Sequence, residues 1–194
     1  MSLGALREAL LDHGGTLADS IASIPPSDLS RGADPGPGPG PGAGAPQLVA
    51  SGPRSAGQER EYELLMEMIL EGSLLHYGTP RLVRSDDRDL ALLLGDQLYA
   101  LGLARLAELG DLDAVAELAD LISLLAQAQA ASDDRLAEAI WHAGAAAIGW
   151  GQTVEHAAAK ALARAGDRAA ADALTTASET VIAPRGEGHK GGVT

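Results

Sequence analysis

The sequence predicts an all-α fold: an antiparallel bundle of about six helices behind an N-terminal arm and a Pro/Gly-rich linker. Three observations predict it. Leu and Ala recur at helical spacing from Gln58 to Ile182, and no run of β-branched residues reads as a strand. The periodic segments are separated by very short turns, each marked by Gly, Pro, Asp or Ser. Among 194 residues there are only 2 Trp, 3 Tyr and no Phe, so the core must be built from Leu and Ala in closely packed helices.

Residues 1–24 carry Leu3, Leu6, Leu10 and Leu11, then Leu17, Ile21 and Ile24 beyond a break at Gly14-Gly15. This spacing makes a short amphipathic segment. Leu3, Leu6, Leu10, Leu17 and Ile21 are the candidate docking residues for a partner; the alternatives are a helix that frays or one that folds back onto its own domain. Residues 25–57 read as a disordered linker, centred on the Pro-Gly alternation from Pro35 to Gly42 and continuing to Pro46. Pro removes amide donors and Gly maximises backbone entropy. The period of two excludes a collagen helix.

Residues 58–183 form the predicted bundle domain. The first helix runs from Gln58 to His76, with Leu64, Leu65, Met68, Ile69 and Leu75 apolar, and stops at Tyr77-Gly78-Thr79-Pro80. Asp86, Asp87 and Asp89 open the second, which ends at Leu109-Gly110. Asp111 caps the third, to Ala131; Ser132 caps the fourth, to Ile148. Gly149-Trp150-Gly151 loosens the chain before a fifth helix over Gln152–Ala165. Gly166-Asp167 resets it before a sixth over Arg168–Ile182. Pro184 then opens a polar tail, 184–194. The third helix bears Leu112, Val115, Leu118, Ala119, Ile122 and Leu125, a stripe too wide for a surface helix. It is expected to sit centrally, or to pair with a second copy across a dimer.

Composition excludes several functions. Without Cys there is no disulfide, thiol nucleophile or Cys-ligated metal. The formal charge of −13 disfavours nucleic acid, and residues 58–183 carry 21 of the 27 acids against 9 of the 14 bases. No uninterrupted apolar run approaches the ~18 residues of a spanning helix. There is no basic-then-apolar leader, so no transmembrane segment and a cytoplasmic location are expected.

Chemistry-bearing patterns are sparse. Asp86-Asp87-Arg88-Asp89 and Asp133-Asp134 have the composition of a magnesium site, but acids in a first helical turn also complement the dipole. Glu138 and His142 share a helix face without a third ligand at supporting spacing. No phosphate loop, Rossmann glycine pattern or nucleophile elbow is present. Gly95-Asp96 is different. It interrupts an apolar stretch, and a mid-helix Gly there signals close backbone approach. On an inner face Asp96 would need a partner such as Tyr99, Arg105, Gln127 or Gln129; on an outer face it needs none.

The stretch Leu92-Leu93-Leu94-Gly95-Asp96-Gln97-Leu98-Tyr99-Ala100 resembles the Gly-Asp helix of the trans-type polyprenyl diphosphate synthases, an all-helical isoprenoid-synthase family. Asp111 to Gln129 resembles the helix that follows, with Gln127-Ala128-Gln129 where catalytic members have Gly-Glu and then Gln. Leu136 to Ala145 resembles the next, with His142-Ala143-Gly144 in place of Lys-Thr-Ala. Glu71-Gly72-Ser73-Leu74-Leu75-His76 resembles the lead-in to the first aspartate motif. The likeness covers roughly residues 58–150.

The departures bear on activity. Tyr77-Gly78-Thr79-Pro80 stands where D-D-x-x-D should follow, the arginine pair is missing, and no second aspartate motif occurs after Trp150. The chain is also shorter than catalytic members. The non-catalytic small subunit of two-component heptaprenyl diphosphate synthases is more similar. That resemblance implies a chain inactive alone, with no cofactor of its own and Mg²⁺ entering only through a catalytic partner. It further implies a hetero- or homo-oligomer and a role in setting product length, in the isoprenoid side chain of menaquinone. Gly95, Asp96, Leu98, Tyr99, Leu101, Leu103, Gln129 and His142 are then the candidate interface or tunnel residues. The competing expectations are an acidic interaction module with a tethered docking peptide, and a helical carrier with an apolar groove.

Overall fold

The computed structural model describes residues 3–22 and 40–183. Among these residues the chain is all-helical, without a strand. The helices are α1 (Leu3–His13), α2 (Gly15–Ala22), α3 (Ala45–Ser51), α4 (Glu59–Tyr77), α5 (Arg88–Leu109), α6 (Leu112–Ala130), α7 (Asp134–Trp150), α8 (Val154–Arg164) and α9 (Ala170–Ile182), with a 3₁₀ turn at Pro53–Ser55. The polar tail 184–194 and linker residues 25–39 lie outside the described residues.

Local chemistry explains the boundaries. The Asp87 carboxylate accepts the Asp89 and Leu90 amides at the start of α5. Gly110, at φ 78°, ends that helix in the left-handed conformation that glycine adopts without strain. Asp111 accepts the Ala114 amide and Thr153 the His156 amide. The cap of α7 corrects the sequence reading. Asp133, not Ser132, accepts the Leu136 amide, while Ser132 takes a positive φ of 54° in the turn. A carboxylate one residue nearer the helix reaches the orphan amide, and Ser132 is left to make the bend.

The ordered core begins earlier than composition suggests. Residues 40–57, assigned above to the linker, fold against the bundle. Pro46 stands in the first turn of α3, where its missing amide costs nothing, and Val49 is buried on α7. Gly42 abuts the Trp141 ring and donates its amide to Glu138 Oε2 at 2.9 Å. Proline and glycine contribute flexibility only where nothing packs on them. Here Trp141 and Gly149 supply a surface that fits only a bare backbone.

The central helix is α7 rather than α6. It packs against α3, α6 and α9, and from Ala137 to Gly149 every residue except Glu138 and His142 is buried. Its alanines and glycines let neighbours approach closely: a Cβ on Gly144 would come within 2.6 Å of Leu121 Cδ1 of α6. Of the stripe on α6, Val115, Leu118, Ile122 and Leu125 meet the core, while Leu112 and Ala119 are exposed.

A second apolar cluster lies between α1, α2, α4 and α5. Leu6, Leu10, Leu17 and Ile21 are completely buried against Met68, Leu75, Leu82, Val83, Leu94 and Leu98. The N-terminal segment is therefore folded back on its own domain, with Leu3 half-buried at the edge.

The expectation for membrane spans needs one amendment. Helix α5 is long and apolar enough, by length and composition, to cross a membrane, and only 28% of that window is buried in the fold. An uninterrupted-run criterion misses it because Gly95-Asp96-Gln97 divides the apolar stretch. The helix packs along α4, the most extensive helix pair in the fold.

Candidate functional site

The residues singled out around Gly95 meet at the crossing of α4 and α5. Gly72, Gly95 and Gly102 make the crossing close. A Cβ on Gly95 would stand 2.8 Å from the His76 ring and 3.1 Å from the Gly72 carbonyl; one on Gly102 would stand 2.8 Å from Ile69. The close approach that the mid-helix glycine implied is thus a helix–helix contact. His76 stacks on Tyr99 with ring centroids 5.4 Å apart and planes within 1°. The Tyr77 ring is tilted against His76 with centroids 5.5 Å apart. Burial pushes the Tyr99 hydroxyl pKa well up, against the opposing effect of a hydrogen bond with Ser73.

Asp96 is on the outer face, its side chain 68% exposed, with Oδ1 3.0 Å from His76 Nε2. The contact is ionic in distance but off the line of a hydrogen bond, since Nε2 has no aligned acceptor. None of the partners considered above serves it. Arg105 pairs instead with Glu61 at 3.1 Å.

The other candidates scatter. Leu98 is completely buried and Leu101 half-buried, both at the N-terminal cluster, whereas Leu103 packs on the main core. Gln129 is half-buried near the end of α6. His142 sits on α7, its Nδ1 2.9 Å from Ser178 Oγ. Because that hydroxyl donates to the Thr175 carbonyl, it accepts from the imidazole, which fixes Nδ1–H as the donor. Together with Gly42, Leu48, Glu138 and Trp141, His142 lines a shallow pocket. Glu138 accepts the Gly42 amide, and His142 meets Ser178. Among the described residues no group of three or more His, Asp or Glu side chains is arranged to hold a metal ion.

Three polar clusters were not legible in the sequence. Glu71, fully buried, accepts the amides of Leu82 and Val83 at 2.6 and 2.9 Å and Arg81 Nε at 3.2 Å. Glu67, one turn earlier, holds Arg81 Nη2 at 2.6 Å. Together they pin the connection between α4 and α5. Glu117 of α6, also buried, meets His156 Nε2 at 2.7 Å and Lys160 Nζ at 2.5 Å, both on α8. Lys160 also reaches Asp120 at 2.8 Å. Asp111 joins three segments: it accepts the Tyr62 hydroxyl at 2.7 Å and Arg54 at 3.0 Å besides capping α6. The only available signal was i,i+4 spacing of acids, as in Glu63, Glu67 and Glu71, which reads equally as a solvated face.

The outer faces of α5 and α6 complete the description. Leu93 of α5 is 66% exposed and Leu112 of α6 69% exposed. Ala100, Ala104 and Ala107 of α5 and Ala116, Ala119, Ser123, Gln127 and Ala130 of α6 are also exposed. The α6 residues recur every three or four positions without a charge. Exposed acids stand on the same helices: Asp96, its side chain 68% exposed, and Glu108 on α5, and Asp113 on α6.

No family model matches the chain, nor does any curated protein or solved structure.

Proposed function

We propose that this chain is a non-catalytic, isoprenoid-synthase-like helical subunit that pairs with a catalytic prenyl diphosphate synthase and helps set the length of its product. The observation that supports the reading is the exposed row Leu93, Ala100, Ala104 and Ala107 on α5, which Asp96 interrupts. Exposed leucines among small side chains are a feature of interaction surfaces. The same α5 bears Leu92 to Ala100, the segment of the prenyl-synthase resemblance, so the resemblance and the surface fall on one helix. In this reading Tyr99, Leu101 and Leu103 reach the pairing surface or tunnel wall from their half-buried positions, and Mg²⁺ belongs to the partner. The partnership is cytoplasmic.

The alternative is an acidic interaction module using its N-terminal segment as a tethered docking peptide. It has less support, because Leu6, Leu10, Leu17 and Ile21 are already buried within the chain. The discriminating experiment supplies farnesyl diphosphate, isopentenyl diphosphate and Mg²⁺ to the isolated chain, to a catalytic prenyl diphosphate synthase, and to the two together. The expected outcome is no turnover by the chain alone and a changed product length in the mixture. Turnover by the chain alone, or a mixture identical to the synthase, refutes the proposal.

A further inference from the structure

We infer that the apolar groove between α4 and α5 is a docking site for an amphipathic helix, and that residues 3–22 lie in it as a strap which the incoming helix displaces. The strap itself shows which helix fits. Leu6 and Leu10 on α1, and Leu17 and Ile21 on α2, are pairs four residues apart, and all four side chains are completely buried. The partner is therefore a helix with leucine or isoleucine pairs at that spacing. The groove has walls of its own. Met68 and Leu75 belong to α4, and Leu94 and Leu98 to α5. The close approach of Gly95 to Gly72 sets the crossing of those two helices. Leu82 and Val83 close the third side, and Glu71 holds their amides at 2.6 and 2.9 Å. None of these ties involves the strap, so the groove persists when the strap leaves.

Apolar burial alone holds the strap. Among the described residues no hydrogen bond or ion pair joins residues 3–22 to the bundle. The side-chain hydrogen bond within the strap, from Ser20 Oγ to the Thr16 carbonyl at 2.8 Å, is internal. Arg7 works against docking, because its Nε is buried without an acceptor. Residues 40–57 are bound differently. Gly42 donates to Glu138, Arg54 Nε to the Ile148 carbonyl at 3.1 Å, and Arg54 Nη2 to Asp111 at 3.0 Å. Helices α1 and α2, of 11 and 8 residues, are too short to persist undocked. The strap therefore docks and unfolds as one unit, while the rest of the chain keeps its own polar ties. This docking site adds to the proposed function and does not rest on it.

The test begins with native-state amide exchange on the full wild-type chain. The amides of α1 and α2 should open together and exchange at least ~100-fold faster than those of residues 143–148 in α7. Binding is then read in trans. In the full chain, Leu6→Asp with Leu10→Asp should empty the groove and leave α7 protected. A labelled synthetic peptide of residues 1–24, followed by fluorescence anisotropy, should bind this variant at least ~10-fold more tightly than it binds the wild-type chain. There the resident strap competes at roughly millimolar effective concentration. The same peptide carrying Leu17→Asp and Ile21→Asp should not bind. Strap amides that exchange no faster than those of α7 overturn the inference. So does loss of α7 protection in the double variant, which would make the strap part of one cooperative core. A peptide that binds both chains equally, or neither, overturns it as well.

Discussion

Replacing Glu117 by Ala tests how α6 and α8 are held together. Glu117 is 2% exposed, and both its oxygens are committed, to His156 at 2.7 Å and Lys160 at 2.5 Å. Its removal leaves Lys160, 6% exposed, with Asp120 as its remaining anion. Breaking a buried ion pair from one side costs about 3–5 kcal/mol. A domain of this kind has about 5–15 kcal/mol in total, so the variant should lose a large share of its stability in urea unfolding followed by far-ultraviolet circular dichroism. Glu117→Leu with Lys160→Met should recover much of the loss, with about 1–3 kcal/mol still forfeited at the unpaired His156. Burial pulls the Lys160 pKa down, but the hydrogen bonds and charges of Asp120 and Glu117 outweigh it and raise the group above its ordinary 10.5. Its contribution is complete below that value and is lost as pH rises through the raised one, so Glu117→Ala should flatten the alkaline limb of the stability curve. A loss below ~1 kcal/mol for Glu117→Ala would refute the assignment of this cluster as the tie between the two helices.

Three further predictions follow from the close contacts and the clamps. Gly52→Ala should destabilise more than Gly95→Ala. The new Cβ at 52 would meet the Gly149 backbone at 2.3–2.5 Å, whereas at 95 its shortest contact is the movable His76 ring at 2.8 Å and helix propensity returns up to ~1 kcal/mol; equal melting shifts would contradict this. Glu71→Gln should speed amide exchange at Leu82 and Val83 by at least ~10-fold, with a stability loss of about 1–3 kcal/mol; unchanged exchange at both amides would show that the carboxylate does not hold the loop. Burial pushes Asp111 up, but the Tyr62 hydroxyl, the Ala114 amide and Arg54 prevail and lower it below 3.8. Stability from this group is present above the ordinary carboxylate value and lost as pH falls through the depressed one, while Tyr62, pushed up to about 12 by burial and Asp111, loses its share as pH rises from 10. Tyr62→Phe should therefore flatten both limbs of melting temperature against pH.

Local signals carried the helix positions because they are written in neighbouring residues. Asp87, Asp111 and Thr153 each cap the helix they precede, and Gly78 and Gly110 end the helices before them. What failed to show was set by distant residues. Gly42 and Val49 are ordered by Trp141 and Gly149, about a hundred positions away, so composition alone made them linker. Glu71 looks like a surface acid until Leu82 and Val83 turn their amides onto it. His76 is in the last turn of its helix, yet its ring stacks on Tyr99 of the next helix, a contact no neighbouring residue signals.

The width of the apolar stripe on α6 shows the same limit and gives it a use. Periodicity counts apolar positions around a helix but cannot say which are covered, so a helix that leaves Leu112 and Ala119 outside its packed side reads as central. In the fold α7 takes the centre; Val115, Leu118, Ile122 and Leu125 of α6 pack inward, and Leu112 and Ala119 stay exposed. Leaving them bare is costly for a lone chain, since each exposed leucine forgoes about 1.5–3 kcal/mol of burial. Net charge of −13 opposes indiscriminate association. Leu93 and Leu112 are therefore the positions on these helices where covering the surface would recover most burial, and the exposed Asp96 and Asp113 beside them disfavour an acidic cover.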